Sequence, residues 1–270
     1  MSADDKYTHP GSGGVLVNKL DLHDSDALDE ALNDYATANW AWLLTQPLPD
    51  VFDIAHLRTV HRELFSKVLP FAGEIRDVDT VAGGTGIAYC RPEFIVGMAA
   101  DIDRGLQQDG YLRGLPTREF ADRLGYHWGE ITALHPMRDG NTRSQSAFVT
   151  QLAAAAGYSI EWKQVDVDEL RELRLGAVVG SSQPLANYLH DRIVSFEVKD
   201  LALTAQALEG LTFQKSAQLD PELQRIVDVN KHNFPTSAAE IGRPTQGSTT
   251  EGRSYRPPQQ GLSADHGYGR

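Results

Sequence analysis

A single cysteine, Cys90, is all the thiol chemistry in this 270-residue chain. It can close no internal disulfide, and such usage fits a reducing compartment. No apolar run approaches the roughly 20 residues that a membrane span requires. The opening Met-Ser-Ala-Asp-Asp lacks the charged-then-apolar plan of a secretory signal. Basic charge is also scarce: 25 Lys and Arg stand against 37 Asp and Glu, a formal charge of −12. That sign argues against general binding to nucleic acid or to an anionic membrane. No Gly-x-x-x-x-Gly-Lys-Ser/Thr run exists, which excludes a P-loop enzyme at motif level, and Gly11-Ser-Gly-Gly14 reads as a flexible turn. His56, His61 and His127 lack zinc spacing and read as satisfied structural or surface histidines. There is no internal repeat. The expectation is a soluble cytoplasmic protein, long enough for one substantial core and a smaller appendage.

What the chain does have is helical periodicity, nearly throughout. Ser25 is placed to cap a helix with Leu28, Leu32, Tyr35, Asn39 and Trp42 on its apolar face, ended near Pro47. Asp50 is placed to cap the next, with Ile54, Leu57, Leu64 and Phe65 inward. From Ile75 to Cys90 the helical period fails, and a Gly83-Gly84 turn between apolar residues reads as a short hairpin. Pro92 opens a helix carrying Phe94, Ile95, Met98, Ile102 and Leu106, stopped by Gly110. A helix from Thr117 aligns Phe120, Leu124, Trp128, Ile131 and Leu134, and ends at His135. Another begins near Asn141, burying Ala147, Phe148 and Leu152 until Gly157. Two more, over roughly 166–178 and 183–197, complete a bundle-like all-α core. Residues 200–230 still look helical, whereas 231–270 are rich in Gly, Pro, Ser, Thr and Gln and are expected to be a disordered tail.

Between two of these helices lies His135-Pro-Met-Arg-Asp-Gly-Asn-Thr-Arg143. Its dipeptides taken singly are ordinary turn sequences. Together they put a base, a carboxylate, a glycine-lined backbone nest and two guanidinium groups at a helix N-terminus, where free N–H groups favour phosphate. His135 suits proton abstraction from a hydroxyl at neutral pH. Asp139 is a hard oxygen ligand of the kind Mg²⁺ takes singly, Gly140 permits close backbone approach, and Arg143 offers a planar fork. These parts describe nucleotidyl or phosphoryl transfer.

The string resembles the signature of the Fic family, His-x-Phe-x-Asp/Glu-Gly-Asn-Gly-Arg-x-x-Arg. The likeness extends through His61-Arg-Glu-Leu-Phe65, Pro70-Phe-Ala-Gly-Glu-Ile-Arg76, Thr80 to Ile87 and Arg91-Pro-Glu-Phe-Ile95. Tyr7-Thr-His-Pro-Gly11 and Val17-Asn-Lys-Leu20 are similar to the opening of bacterial Fic toxins. The resemblance runs from about residue 7 to about residue 195. It implies a Fic-type helical domain over 1–199, with its core at about 51–197, and transfer of AMP from ATP to a Ser, Thr or Tyr hydroxyl of a target protein. It further implies His135 as general base, Asp139 as the ligand of Mg²⁺ (or Mn²⁺), and Arg138, Gly140, Asn141, Thr142 and Arg143 as nucleotide-binding residues. Val81, Ala82, Gly83, Gly84 and Thr85 would form a flap whose strand edge docks the target segment.

Three positions depart from the signature. Met137 replaces a buried Phe, a gap that Met fills adaptably. Thr142 replaces the second Gly, which matters if that position needs positive φ. Ser146 replaces the final Arg, which in the family grips the far end of the triphosphate and pairs with an inhibitory Glu. The inhibitory pattern Ser/Thr-x-x-x-Glu-Gly/Asn has no full match: Thr236 to Glu240 is followed by Ile241, and Glu251-Gly252 is preceded by Gly247 where Ser or Thr is required. A separate inhibitory antitoxin is therefore expected. Alternatives left open are a Doc-like phosphotransferase and a nucleotide-binding regulatory module.

Overall fold

The computed structural model describes residues 5–195. The expected helical segment at 200–230, the tail at 231–270 and the near-matches around Glu240 and Glu251 lie outside the described residues. Within them the chain is helical, as expected: α1 (Ser25–Leu43), α2 (Ile54–Phe65), α3 (Pro92–Gln108), α4 (Thr117–Leu134), α5 (Asn141–Ala155), α6 (Val167–Val179) and α7 (Gln183–His190). Two three-residue strands, β1 (Tyr158–Ile160) and β2 (Ile193–Ser195), pair antiparallel with Ser159 opposite Val194.

The starts of α1 and α2 are set by carboxylates one to three residues from the positions the sequence suggested. Asp24, in extended conformation, accepts from the Ala27 N–H at 2.9 Å, and Ser25 already lies inside α1. Asp53, not Asp50, caps α2 by accepting from the His56 N–H at 2.7 Å, while Asp103 accepts from the Ile54 N–H at 2.7 Å. Each satisfies backbone donors that the first helical turn leaves without partners.

α1 presents Leu28, Leu32, Ala36, Trp40 and Leu43 to the core. The expected face is corrected by a rotation of the helix: Tyr35 and Trp42 are exposed, because Ala36 and Trp40 carry the i, i+4 stripe onward from Leu32. Phe94 is likewise exposed, and Ile95, Ala99, Ile102 and Leu106 form the inner face of α3.

α4 is the central helix, packed by α3, α5, α6 and α7. Phe120, Leu124, Trp128, Ile131 and Leu134 are all fully buried along it. Gly125 allows α7 to approach closely, since a Cβ there would lie 2.8 Å from the Ala186 Cα. The last expected helix is shorter than read: α7 ends at His190, and Ile193–Ser195 turn back to pair with β1, as β-branched Ile193 and Val194 favour. α4 and α5 meet end to end at the motif loop, so the site rests on the two best-packed helices.

Candidate active site

α4 stops because His135 adopts a left-handed conformation, φ 43° and ψ 61°, with its N–H still bonded to the Ile131 carbonyl at 3.1 Å. Such geometry in a non-glycine residue needs support from its surroundings. Arg76 provides it. This fully buried side chain donates from Nε to the His135 carbonyl at 2.8 Å and from one Nη to the Val78 carbonyl at 2.7 Å. Its other Nη bonds the Cys90 carbonyl, and its own N–H reaches the Pro136 carbonyl at 2.9 Å. One guanidinium thus ties together the end of α4, the motif loop and the segment entering the hairpin.

The loop is also closed from within. Asn141 donates from Nδ2 to the Met137 carbonyl at 2.7 Å and accepts the Met137 N–H on Oδ1 at 3.0 Å. Its side chain thereby braces the loop from within, one Nδ2 hydrogen and one Oδ1 lone pair being used in doing so. Met137 is buried beneath the loop. His61 holds the far side: the Gly73 N–H donates to its Nδ1 at 2.9 Å, which fixes the proton on Nε2, and Nε2 donates to the Asp139 carbonyl at 2.7 Å. Burial pushes this imidazole down to about 4, so it is a neutral strut.

Gly140 has φ 73° and directly precedes α5, with no side-chain cap, so the first N–H groups of α5 face the site. A Cβ at Gly140 would meet the Phe65 ring at 2.5 Å and His61 Nε2 at 3.0 Å. Thr142 lies within α5 at negative φ, so replacing glycine there costs no backbone strain. Arg143, buried, donates to Asn33 Oδ1 at 2.9 Å, lies 4.8 Å over the Phe65 ring and stands 3.9 Å from Asp139. Burial lowers its pKa, and the charges of Asp139 and Asp29 oppose that shift.

A pocket gathers these groups. His135, Asp139, Gly140, Asn141, Thr142 and Arg143 line one part of it. Val81, Ala82 and Gly83 of the expected flap, together with Tyr89 and Arg171, complete the lining. The Tyr89 ring lies on the His135 imidazole with centroids 3.7 Å apart. Burial, reinforced by the guanidinium groups of Arg76 and Arg174, holds the His135 pKa well below 6.5. The imidazole is therefore neutral at physiological pH, the form able to accept a proton. Of its ring nitrogens, Nδ1 is buried without a hydrogen-bond partner.

The hairpin forms with a shorter ladder than expected. Val81 and Ala88 make one antiparallel bridge, supported by Ala82 N–H to the Ile87 carbonyl at 2.8 Å and Tyr89 N–H to the Thr80 carbonyl at 3.2 Å. Gly84 and Gly86 at positive φ, with Thr85 bonded back to Ala82, take the intervening residues out of strand pairing. Gly84 and Thr85 lie at the turn, outside the pocket lining.

Arg138 is the expected site residue that the structure directs elsewhere. It lies outside the pocket lining and donates from Nε to Asp5 at 2.9 Å, tying the N-terminal segment to the motif loop. Ser146 is buried in α5. Beside it Gln145 accepts from Arg174 at 2.7 Å, and the Arg174 guanidinium lies 5.4 Å over Trp128. Arg76 and Tyr89 lie in the stretches that carry the family likeness and the hairpin, though neither had a legible role of its own, and Arg171 and Arg174 carried no signal, since each reaches this region from a distant segment.

Among the described residues Asp139 is the sole acidic one in the pocket lining, and its carboxylate has Arg143 beside it at 3.9 Å. No group of three or more His, Cys, Asp or Glu clusters as a metal cage among the described residues. That donor set fits a hard cation sharing one carboxylate with substrate oxygens and water, and not a structural zinc. No helix among the described residues is long and apolar enough to cross a membrane.

Comparison with known proteins agrees with this arrangement. The Fic/DOC family matches residues 51–153, from just before α2 to near the end of α5. Protein adenylyltransferase VbhT of Bartonella schoenbuchensis is 33% identical over 73% of this chain, which spans only 40% of that protein. The probable protein adenylyltransferase Fic of Escherichia coli K12 is 30% identical over 71% of this chain and is itself 92% covered. A crystal structure of the N-terminal Fic domain of a VirB-translocated Bep effector protein from Bartonella quintana, with bound ADP, is 25% identical. It superposes with a TM-score of 0.68, covering 73% of this chain and 97% of that one. Because the match to the Escherichia coli protein reaches 30% identity and takes in nearly its whole length, this chain belongs to the Fic/DOC family.

Proposed function

We propose that this chain transfers AMP from ATP to a hydroxyl side chain of a target protein. The observation that carries the reading is the neutral, buried His135 in one pocket with the uncapped N-terminus of α5. Phosphate binding alone has no need of a base held free of protons. The relatives named as adenylyltransferases support the choice of AMP as the transferred group.

In this reading the backbone N–H groups following Gly140, together with Arg143, hold the phosphates and stabilise charge as it develops in the transition state. Asp139 would hold Mg²⁺, which when bound supplies charge neutralisation on the phosphates. His135 takes the proton from the incoming hydroxyl as its oxygen attacks the α-phosphorus and pyrophosphate departs. Tyr89 and the flap residues Val81, Ala82 and Gly83 cover the base, and the flap edge through Thr85 receives the extended target segment. Such catalysis is mostly positioning, so losing one part costs orders of magnitude in rate while sparing the fold. Restraint by a separate small antitoxin, as in the toxin-like branch, and a cytoplasmic place of work complete the proposal.

Mass spectrometry of proteins incubated with the chain, ATP and Mg²⁺ tests the reading. An added AMP supports it, whereas an added phosphate assigns Doc-like transfer instead.

A further inference from the structure

One pocket cation belongs to no motif. Arg171 projects from α6, far along the chain from the His135–Arg143 string, yet lines the same pocket. Its Nη2 donates to the Gly83 carbonyl, at the turn of the flap, at 2.6 Å. That bond spends a full positive charge on a neutral acceptor, and no carboxylate is paired with Arg171 among the described residues. Arg143 differs: it has Asp139 at 3.9 Å and Asn33 at 2.9 Å.

Charge in the lining is therefore out of balance. Among the described residues the lining holds two guanidinium groups, Arg143 and Arg171, and one carboxylate, Asp139, which stands beside Arg143, all near the positive end of α5. Behind them Arg76 and Arg174 are buried against neutral acceptors: backbone carbonyls for the first, Thr132, Gln145 and the Trp128 face for the second. In a chain of formal charge −12, this concentration of positive charge at one concave site favours an anion with more than one charge. α5 offers no second cation of its own at position 146, where Ser146 is buried. Arg171 is half-buried, and a guanidinium carries five N–H donors in a fixed fork. Nη2 can keep Gly83 while the remaining edge faces an oxyanion.

We infer that Arg171 is a phosphate-binding residue of the nucleotide site, holding the polyphosphate of ATP while its Nη2 keeps the tip of the flap. The inference rests on the adenylyl-transfer reading for the identity of the nucleotide. Its consequence is an order of events: bound ATP fixes Arg171, Arg171 fixes Gly83, and the flap edge is set before the target arrives.

Calorimetric titration of the full chain with adenosine, AMP, ADP and ATP in Mg²⁺ tests this, comparing wild type with Arg171→Gln and Arg171→Lys. Gln can still donate to the Gly83 carbonyl but carries no charge. Arg171→Gln is expected to weaken ATP binding by about tenfold or more and to leave adenosine within about twofold, as loss of a charge-assisted contact dictates. Arg171→Lys, which keeps the charge and loses the fork, recovers part of the ATP affinity. Melting curves report whether each variant is folded, and if Gln alone melts early the Lys variant decides. ATP affinity unchanged in the Gln variant overturns the inference. So does equal loss of adenosine and ATP, ATP affinity in the Lys variant no better than for adenosine, or a wild type that binds ATP no better than adenosine. A wild type that binds ATP through Arg171 yet modifies no protein would instead overturn adenylyl transfer and leave Arg171 in place.

Discussion

Tyr89 lies flat on the His135 imidazole, with ring planes 9° apart and centroids separated by 3.7 Å. Its N–H is bonded to the Thr80 carbonyl, so the returning arm of the hairpin carries the ring that covers the base. The stack keeps water from one face of the imidazole and couples the flap to the proton acceptor.

Removing the ring is therefore expected to matter more than removing its hydroxyl. Tyr89→Phe keeps the stack and should retain kcat within about threefold, since no hydrogen bond of the Tyr89 hydroxyl enters the chemistry. Tyr89→Ala should lower kcat by at least about tenfold through a loosened, hydrated base. Steady-state kinetics of both variants check this, and equal effects would show that the ring does not position His135.

The pH dependence follows from the same burial. The neutral imidazole is the active form, and activity is lost as pH falls through its pKa, which burial holds well below 6.5. The acid limb of kcat/KM should therefore have its midpoint well below 6.5. Arg174 is one of the charges that lower this pKa, so Arg174→Gln should move the limb to higher pH. A limb at or above 6.5 in the wild type would contradict the assignment of His135 as a buried neutral base.

Gly140 tests the loop itself. An added Cβ would overlap the Phe65 ring at 2.5 Å and would sit on a backbone at φ 73°. Gly140→Ala should destabilise the chain by about 2 kcal/mol or more, from backbone strain and overpacking combined. Thr142→Gly, at negative φ inside α5, should gain nothing. Melting temperatures of the two variants separate the cases.

Asp139 tests the metal. Asp139→Ala should abolish transfer at the Mg²⁺ concentration that saturates wild type, and chelation of wild type should be reversed by Mg²⁺ or Mn²⁺, as a hard phosphate-bridging ion requires. Full activity in excess chelator would remove Asp139 from that role.

Much of this was legible before the fold was known, for identifiable reasons. Thr117–Leu134 and Asn141–Ala155 stand where the apolar stripe and the intervening Pro, Asp and Gly placed them, because burial and turn chemistry agree there. α1 was rotated because Tyr35 and Trp42 are as apolar as the Ala36 and Trp40 that the core takes in. The β1–β2 pair has no sequence signature, because three residues are too few for an alternating pattern. The motif disclosed the groups that touch the pocket but not those that hold them: His61, Arg76 and Arg174 are buried polar side chains whose partners are mostly backbone carbonyls and neutral groups of distant segments. Nor does the place of Arg138 in the string disclose the Asp5 carboxylate that its Nε meets.

The most direct test follows labelled ATP into protein. A host lysate is incubated with Mg²⁺ and either α-labelled or γ-labelled ATP, with wild type and with His135→Ala, whose ATP affinity is measured in parallel. Adenylyl transfer by this pocket requires protein-bound label from the α position alone, its loss in His135→Ala, and ATP affinity retained within about fivefold, because the imidazole acts on the hydroxyl and not on the nucleotide. Protein-bound label from the γ position, or undiminished α-label with His135→Ala, would contradict it.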